Sequence, residues 1–252
     1  VTTLLIDGDP IAYQCAFSNE NRIDWDGDGN ASVTHDEVAA LADVDLAIKK
    51  MKADLGAKKV VVCLSVPTIL GWRRELLSTY KSNRNKAVKP LALEPCRQHM
   101  LEKWGAYIRP TLEADDVLGI LATNTKVIPG EKIIVTIDKD LKTIPGRIYN
   151  PRRQKLETVS REEADYLHMM QTLTGDTVDG YSGCPGVGPK RAVAALDGFI
   201  GDDLMWPRVV LAYEARGLTE DDALVQARVA RICRSSDYDF KAKKVKLWTP
   251  PN

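Results

Sequence analysis

The chain has 252 residues, 44% of them hydrophobic and 28% charged, an ordinary globular make-up with room for one large domain or two small ones. Its 35 Lys and Arg balance 35 Asp and Glu, which excludes a globally basic nucleic-acid protein but not one with a local basic face. No apolar run approaches the ~18 residues of a membrane span, residues 1–7 lack the features of a secretory signal, and five scattered cysteines (Cys15, Cys63, Cys96, Cys184, Cys233) without a CxxC pair predict reduced thiols in the cytoplasm, not zinc or disulfides.

In chain order, residues 3–6 form a short apolar run that predicts a buried strand ending at Asp7-Gly8-Asp9. Asp9 precedes Pro10 and is expected to cap the helix beginning there. Residues 23–34 (IDWDGDGNASVT) carry the Asp-Gly steps of a hairpin turn. Within them Asp24-x-Asp26-x-Asp28-Gly29 imitates the start of an EF-hand loop. The twelfth position is His35 instead of a bidentate Glu, so calcium is not expected. Residues 36–55 read as a helix and 60–64 (VVVCL) as a second strand. Residues 73–89 then hold six basic side chains (Arg73, Arg74, Lys81, Arg84, Lys86, Lys89) against one acid, Glu75. Helices are predicted over 90–104 and 113–123, and a third strand over 133–137 that ends in Asp138 and Asp140. Residues 142–155 hold five basic residues and no acid. From Ser160 onward the pattern is helical, over 161–172, 190–196, 202–216 and 220–233, with a short strand at 243–248. Strands alternating with helices predict an α/β fold with a mainly parallel sheet flanked by helices. The division expected is a core over 1–159, with a basic arch around 72–90, and a helical subdomain over 160–252.

In parallel sheets ligands gather at the carboxyl ends of the strands, where this sequence places acids. Asp7 and Asp9 follow the first strand, and Asp138 and Asp140 the third. Glu113-Ala114-Asp115-Asp116 opens an apolar helix, and Asp176 and Asp179 are spaced to share one face of a helical turn. Crowded carboxylates repel one another unless cations join them, and oxygen-only ligand sets suit Mg²⁺ or Mn²⁺. Two such ions ~3.5–4 Å apart can activate a water and stabilise a leaving oxygen in phosphodiester hydrolysis. Any one of these acids reads equally well as a helix cap or a dipole partner; four separate clusters of them point to chemistry.

Two further stretches suit phosphate. Gly183-Cys-Pro-Gly186-Val-Gly188-Pro-Lys190-Arg191 reads as the turn of a helix–hairpin–helix. Its glycines admit close backbone approach, the next helix start offers amides, and Lys190 and Arg191 add charge. A plain interhelical loop is the competing reading, and no P-loop motif occurs. Residues 72–86, basic and bearing Trp72 and Tyr80, fit a cationic passage for a nucleic-acid strand in which Arg73, Arg74 and Lys86 contact DNA. The alternative there is a solvated charged helix.

Taken together, Leu4-Leu-Ile-Asp7-Gly8, Tyr80-Lys-Ser-Asn-Arg84, Leu112-Glu-Ala-Asp-Asp116, Thr136-Ile-Asp-Lys-Asp140, Thr174-Gly-Asp-Thr-Val-Asp-Gly180 and the hairpin up to Lys190 resemble the 5′ nuclease (flap endonuclease) family. The chain is most similar to the phage 5′→3′ exonucleases and the 5′ nuclease domain of DNA polymerase I. The resemblance covers about residues 4–200. It implies a PIN/resolvase-like core, a helical arch and a helix–hairpin–helix, with sequence-independent cleavage of DNA near 5′ ends or flaps, or removal of RNA primers from RNA–DNA hybrids, by a monomer. It further implies that Asp7, Glu113 and Asp115 hold a first divalent ion and that Asp116, Asp138, Asp140, Asp176 and Asp179 serve a second. Lys81 and Arg84 then approach the scissile phosphate, and Gly186 and Gly188 grip duplex, with a monovalent ion such as K⁺ on the hairpin carbonyls. The sequence departs from the family where a further metal-binding Asp is usual after the second strand: it reads Ser65-Val66. Ser78 stands where relatives often have Pro. An alternative is therefore a branched-DNA-binding protein that cleaves weakly or not at all because of Val66. A PIN-type ribonuclease is a third reading, which the duplex-gripping hairpin disfavours.

Overall fold

A computed structural model describes residues 1–24, 32–82 and 88–251. Strand β1 (Thr2–Asp7) runs directly into helix α1 (Gly8–Ser18). Strands β2 (Glu20–Ile23) and β3 (Ser32–His35) pair antiparallel, as a hairpin requires; the Asp-Gly steps between them, with Asp26 and Asp28, lie outside the described residues. Helix α2 (Glu37–Asp54) opens where the Asp36 carboxylate accepts the Ala39 amide at 2.9 Å. Next come β4 (Lys59–Cys63), the one-turn α3 (Arg73–Leu76), α4 (Leu93–Trp104) and α5 (Ala114–Thr123). They are followed by β5 (Glu131–Val135), β6 (Gly146–Asn150) and β7 (Lys155–Val159). Helices α6 (Arg161–Thr174), α7 (Pro189–Leu196), α8 (Asp202–Glu214) and α9 (Glu220–Ala230) then precede two short strands, β8 (Tyr238–Asp239) and β9 (Lys244–Val245). Among the described residues no helix is long and apolar enough to cross a membrane.

The central sheet has the order β4-β1-β5-β6-β7. The first four strands are parallel and β7 is antiparallel to β6. In register, Leu5 stands between Val61 and Ile134, and Ile134 faces Ile148. Side chains alternate across such a sheet. Leu4 and Ile6 enter a core with Ala12, Val44, Ile48 and Met100 from α1, α2 and α4. Leu5 enters the opposite core, with Val117, Leu118 and Leu121 of α5. Burial on both faces is why these strands read as continuous apolar runs. Strands β6 and β7 carry no such signal, because they lie within and beside the basic run 142–155. Three of its five basic residues are paired with neighbours: Arg147 with Glu131 of β5, and Lys142 and Lys155 both with Glu157.

The helical layer begins at Ser160, whose hydroxyl accepts the Glu163 amide at 3.1 Å while the Glu163 carboxylate accepts the Ser160 amide at 2.8 Å. Its own core gathers Met169, Leu173, Val187, Leu196, Trp206, Val209, Tyr213 and Trp248. The exit from α6 needs two glycines back to back. Gly175 (φ +65°) and Gly183 (φ +63°) pack so closely that a Cβ on Gly183 would lie 2.2 Å from the Gly175 nitrogen. Helix α9 ends at Ala230, short of the 233 expected, because Ile232 and Cys233 turn back into the core beneath α5.

Candidate active site

Three elements deliver acids to one edge. Asp7 is the last residue of β1; it occupies the N-cap position of α1, yet its side chain makes no capping bond. Its carboxylate instead accepts the Thr136 hydroxyl at 3.0 Å. That hydroxyl also accepts the Asp138 amide at 3.0 Å, which ties the ends of β1 and β5 together. The Asp138 carboxylate in turn accepts the Asp140 amide at 2.8 Å. From α6, Gln171 donates to the Asp140 carboxylate at 2.8 Å. A polar cleft results, lined by Glu113, Asp115, Asp138, Asp140 and Asp179 with Tyr80, Gln171 and Tyr181.

The electrostatics of this edge are those of acids without enough cations. Burial, together with the nearby Asp9 and Asp138 charges, pushes the Asp7 carboxyl up to about 7. Burial and Asp7 push Asp115 well above the ordinary carboxylate range. Burial and Asp138 bring Asp140 to about 6. Such a set of oxygen donors fits a hard divalent cation in its chemistry. Among the described residues, however, no three Asp, Glu, His or Cys side chains converge closely enough to share one ion as they stand. A cation of the chain itself lies among them. Lys81, 7% exposed, reaches Glu113 at 2.7 Å and Asp179 at 3.6 Å. These carboxylates outweigh its burial and hold its ammonium above the ordinary lysine value.

Several expectations require correction. Asp116 is fully buried and accepts from Trp72 Nε1, from Nη1 and Nη2 of Arg73, and from the amides of Glu113 and Cys233 at 2.7–3.3 Å. A carboxylate has about four acceptor sites, so Asp116 has none left for a metal. Arg73 is the other half of that pair. It is 3% exposed, and it also donates to Glu113 and to the carbonyls of Val229 and Arg231, so it faces the interior and not DNA. Arg74 is half-buried and braces the turn through the Tyr80 carbonyl at 2.8 Å. Glu113 stays at the cleft, with both oxygens engaged by Lys81, Tyr80 and Arg73. Asp9 caps nothing: it lies inside α1, accepts the Ser65 amide at 2.9 Å and pairs with Arg97. Asp176 and Asp179 do not share a helical face. Asp176 closes a turn by accepting the Val178 and Asp179 amides, and the Asp179 carbonyl accepts the Lys81 amide at 2.7 Å. Arg84 and Lys86 lie outside the described residues.

The loop where the family's additional Asp was expected packs on the start of α5. The Ser65 hydroxyl accepts the Ala114 amide at 2.9 Å, and the Val66 amide donates to Leu112. Three participants escape a reading of the sequence: Thr136, Gln171 and Tyr181. Only Thr136, two residues before Asp138, carries a local signal. Tyr13 and Phe17 also stack on the exposed side of α1, with ring centroids 6.2 Å apart.

The hairpin belongs to the helical layer. Gly188 is the N-cap of α7 and Pro189 its first residue. Gly186, Gly188, Lys190 and Arg191 are all exposed. A Cβ on Gly188 would meet nothing within 4 Å. Gly188→Trp is therefore expected to leave the melting temperature within ~2 °C of the parent. If the hairpin faces duplex, the same variant weakens duplex binding about tenfold or more; undiminished binding in a fluorescence titration would remove the hairpin from the interface.

Residues 2–165 match the family model described as the 5′-3′ exonuclease N-terminal resolvase-like domain. The exodeoxyribonuclease of Enterobacteria phage T3 is 29% identical over 286 aligned positions, covering 98% of this chain and 92% of the relative. The exonuclease of Escherichia phage T7 is also 29% identical, covering 98% and 93%. A flap endonuclease, Xni, of Shewanella oneidensis is 32% identical over 146 positions, 52% of this chain and 54% of that protein. Among solved structures, the bacteriophage T5 flap endonuclease in a pseudo-enzyme–product complex with DNA and metal ions superposes with a TM-score of 0.69 at 12% identity, covering 91% and 89% of the two chains.

Proposed function

Because the chain belongs to the 5′-3′ exonuclease family defined by its N-terminal resolvase-like domain, we infer that it is a divalent-metal-dependent 5′→3′ exonuclease and flap endonuclease, which hydrolyses phosphodiester bonds near DNA 5′ ends without regard to sequence. The observation that carries this reading is the carboxylate edge of β1, β5 and α5, where Asp7, Asp115 and Asp140 are held above their usual pKa by burial and by neighbouring acids, Asp138 acting on all three. Acids kept in that state are suited to a cationic ligand.

Asp7, Asp115, Asp138, Asp140 and Asp179 would hold Mg²⁺ or Mn²⁺, Glu113 joining once Lys81 releases it. Divalent cations supply, when bound, activation of water and neutralisation of the leaving oxygen. The remaining work falls to the chain itself. Thr136 and Gln171 orient Asp7 and Asp140 through the bonds described. Lys81, held in a left-handed backbone conformation (φ +50°), is placed to exchange its carboxylate partners for a phosphate oxygen. Tyr13 and Phe17 begin about 9 Å along α1 from Asp7 and offer faces on which bases of a displaced strand can stack. Lys190, Arg191 and the amides at the start of α7 address duplex phosphates, which is sequence-independent by nature. DNA with 5′ ends or flaps is the substrate class, RNA primers on DNA are a second candidate, and the protein acts as a monomer.

A 5′-labelled flap duplex tests this directly. Short labelled products are expected with Mg²⁺ or Mn²⁺ and none with EDTA. A chain that binds the flap but leaves it intact in both metals would instead be the branched-DNA-binding protein.

A further inference from the structure

A K⁺ ion at the hairpin, as the family resemblance implies, would meet two guanidinium groups of this chain already seated on carbonyls of the loop. An ion held by backbone carbonyls needs several of them free to converge on it. Here the Pro185 carbonyl accepts Nε of Arg216 at 2.6 Å, and the Gly186 carbonyl accepts Nη1 of Arg191 at 2.6 Å. On either side, the Cys184 carbonyl accepts the Val187 amide, and the Gly188 carbonyl accepts the amides of Arg191 and Ala192, each at 3.0 Å. The two guanidinium groups bring charge of the same sign as the ion, so a K⁺ at the Pro185 and Gly186 carbonyls would be repelled.

We propose that Arg191 and Arg216 serve as the hairpin's own cations, positioning residues that hold the loop in its duplex-gripping form with no monovalent metal ion. The proposal rests on the reading of this hairpin as a DNA contact. Arg216 is the stronger case. It lies just beyond α8, and its Nη1 also donates to the Ala212 carbonyl at 2.7 Å, so one planar side chain staples the loop to the end of that helix. The Cys184 thiol reaches the same Ala212 carbonyl at 3.3 Å. From α9, Gln226 accepts the Gly183 amide at 2.9 Å. The loop is thus tied to the helices behind it through side chains that a bound ion would otherwise have to supplement. A guanidinium offers its donors in a fixed fork and never loses its proton. It therefore replaces the ion's charge permanently, and phosphate in front of the loop still meets positive potential.

The test is binding of a fluorescein-labelled 5′-flap duplex to the full chain in EDTA, at one ionic strength. K⁺, Na⁺ or tetramethylammonium is the only monovalent cation in each series. The parent is expected to give the same Kd within twofold in all three. Arg216→Ala is expected to bind about tenfold more weakly in tetramethylammonium and to recover most of that loss in K⁺, because emptied carbonyls can then accept the ion. A simple loss of folding would not be rescued by K⁺ alone. Parent binding at least fivefold tighter in K⁺ than in tetramethylammonium would overturn the proposal, and this measurement needs no variant. Absence of flap binding in every salt would instead overturn the DNA reading on which the proposal stands.

Discussion

Methionine in place of Arg73 is expected to cost about 3–5 kcal/mol of stability, the effect of stripping one partner from a buried ion pair. Against the roughly 5–15 kcal/mol that holds a domain together, that loss moves the urea midpoint far towards zero. The size follows from Asp116, which no water reaches. Burial alone drives its carboxyl upward, and the Arg73 guanidinium more than reverses this, holding it below the ordinary value. Without the guanidinium the carboxylate must either remain charged in the interior or take up a proton, and both are unfavourable at neutral pH. The carbonyls of Val229 and Arg231 lose their donors at the same time, so the link from α3 to the C-terminal end of α9 goes too. Arg73→Met/Asp116→Asn is expected to be more stable than Arg73→Met alone. Asn removes the stranded charge yet still offers an acceptor to the Cys233 amide and Trp72. Equal or greater loss in the double variant, by equilibrium urea unfolding at pH 7.5, would show that the charge pair is not what holds this junction.

The Arg73–Asp116 pair also marks where sequence reading succeeds and where it stops. Strands β1, β4 and β5 announce themselves because both faces are covered, and the acids after β1 and β5 follow from the strand ends alone. Asp115 and Asp116 are neighbours in sequence, but α5 turns them in different directions, one to the cleft and one to the core. Nothing local separates an arginine that faces solvent from one whose partners lie 43 and 156 positions away. The basic run 73–89 therefore reads as one surface although its first member is interior. Strands β6 and β7 stay hidden for a related reason: Arg147 is balanced by Glu131 of the neighbouring strand, and Lys142 and Lys155 by Glu157, pairings invisible to composition. At the hairpin, the motif shows the glycines and the helix start, but not that Arg216, thirty-one positions on, occupies a carbonyl of the loop.

Asp138→Asn is expected to do the opposite of Arg73→Met: it abolishes cleavage while leaving the fold as stable as before, or more so. Asp138 is exposed at the end of β5, and an Asn there still accepts the Asp140 amide, so little structure is lost. Its charge, however, is one of those that raise Asp7, Asp115 and Asp140. Removing it relieves repulsion among the acids when no metal is present. The pH dependence fixes the sign. In the unfolded chain Asp7 releases its proton near 3.8, whereas in the folded one it keeps it to about 7. The native state therefore binds more protons across that interval, and the metal-free parent loses stability as pH rises from about 4 to 7, with the full loss present above it. In the Asp138→Asn variant the Asp7 carboxyl moves part of the way back, burial still holding it up, and the decline shrinks. Melting in EDTA at pH 8 should therefore be no lower for Asp138→Asn than for the parent. In single-turnover flap cleavage with saturating Mg²⁺, the same variant should be slower by about 1,000-fold or more, on the order of 4 kcal/mol of barrier. The parent's own rate at limiting Mg²⁺ should climb between pH 6 and 8 as Asp7 and Asp140 ionise. A variant that melts lower than the parent at pH 8 would mean that Asp138 is a structural acid, and one that cleaves within tenfold of the parent would place the chemistry elsewhere along the edge.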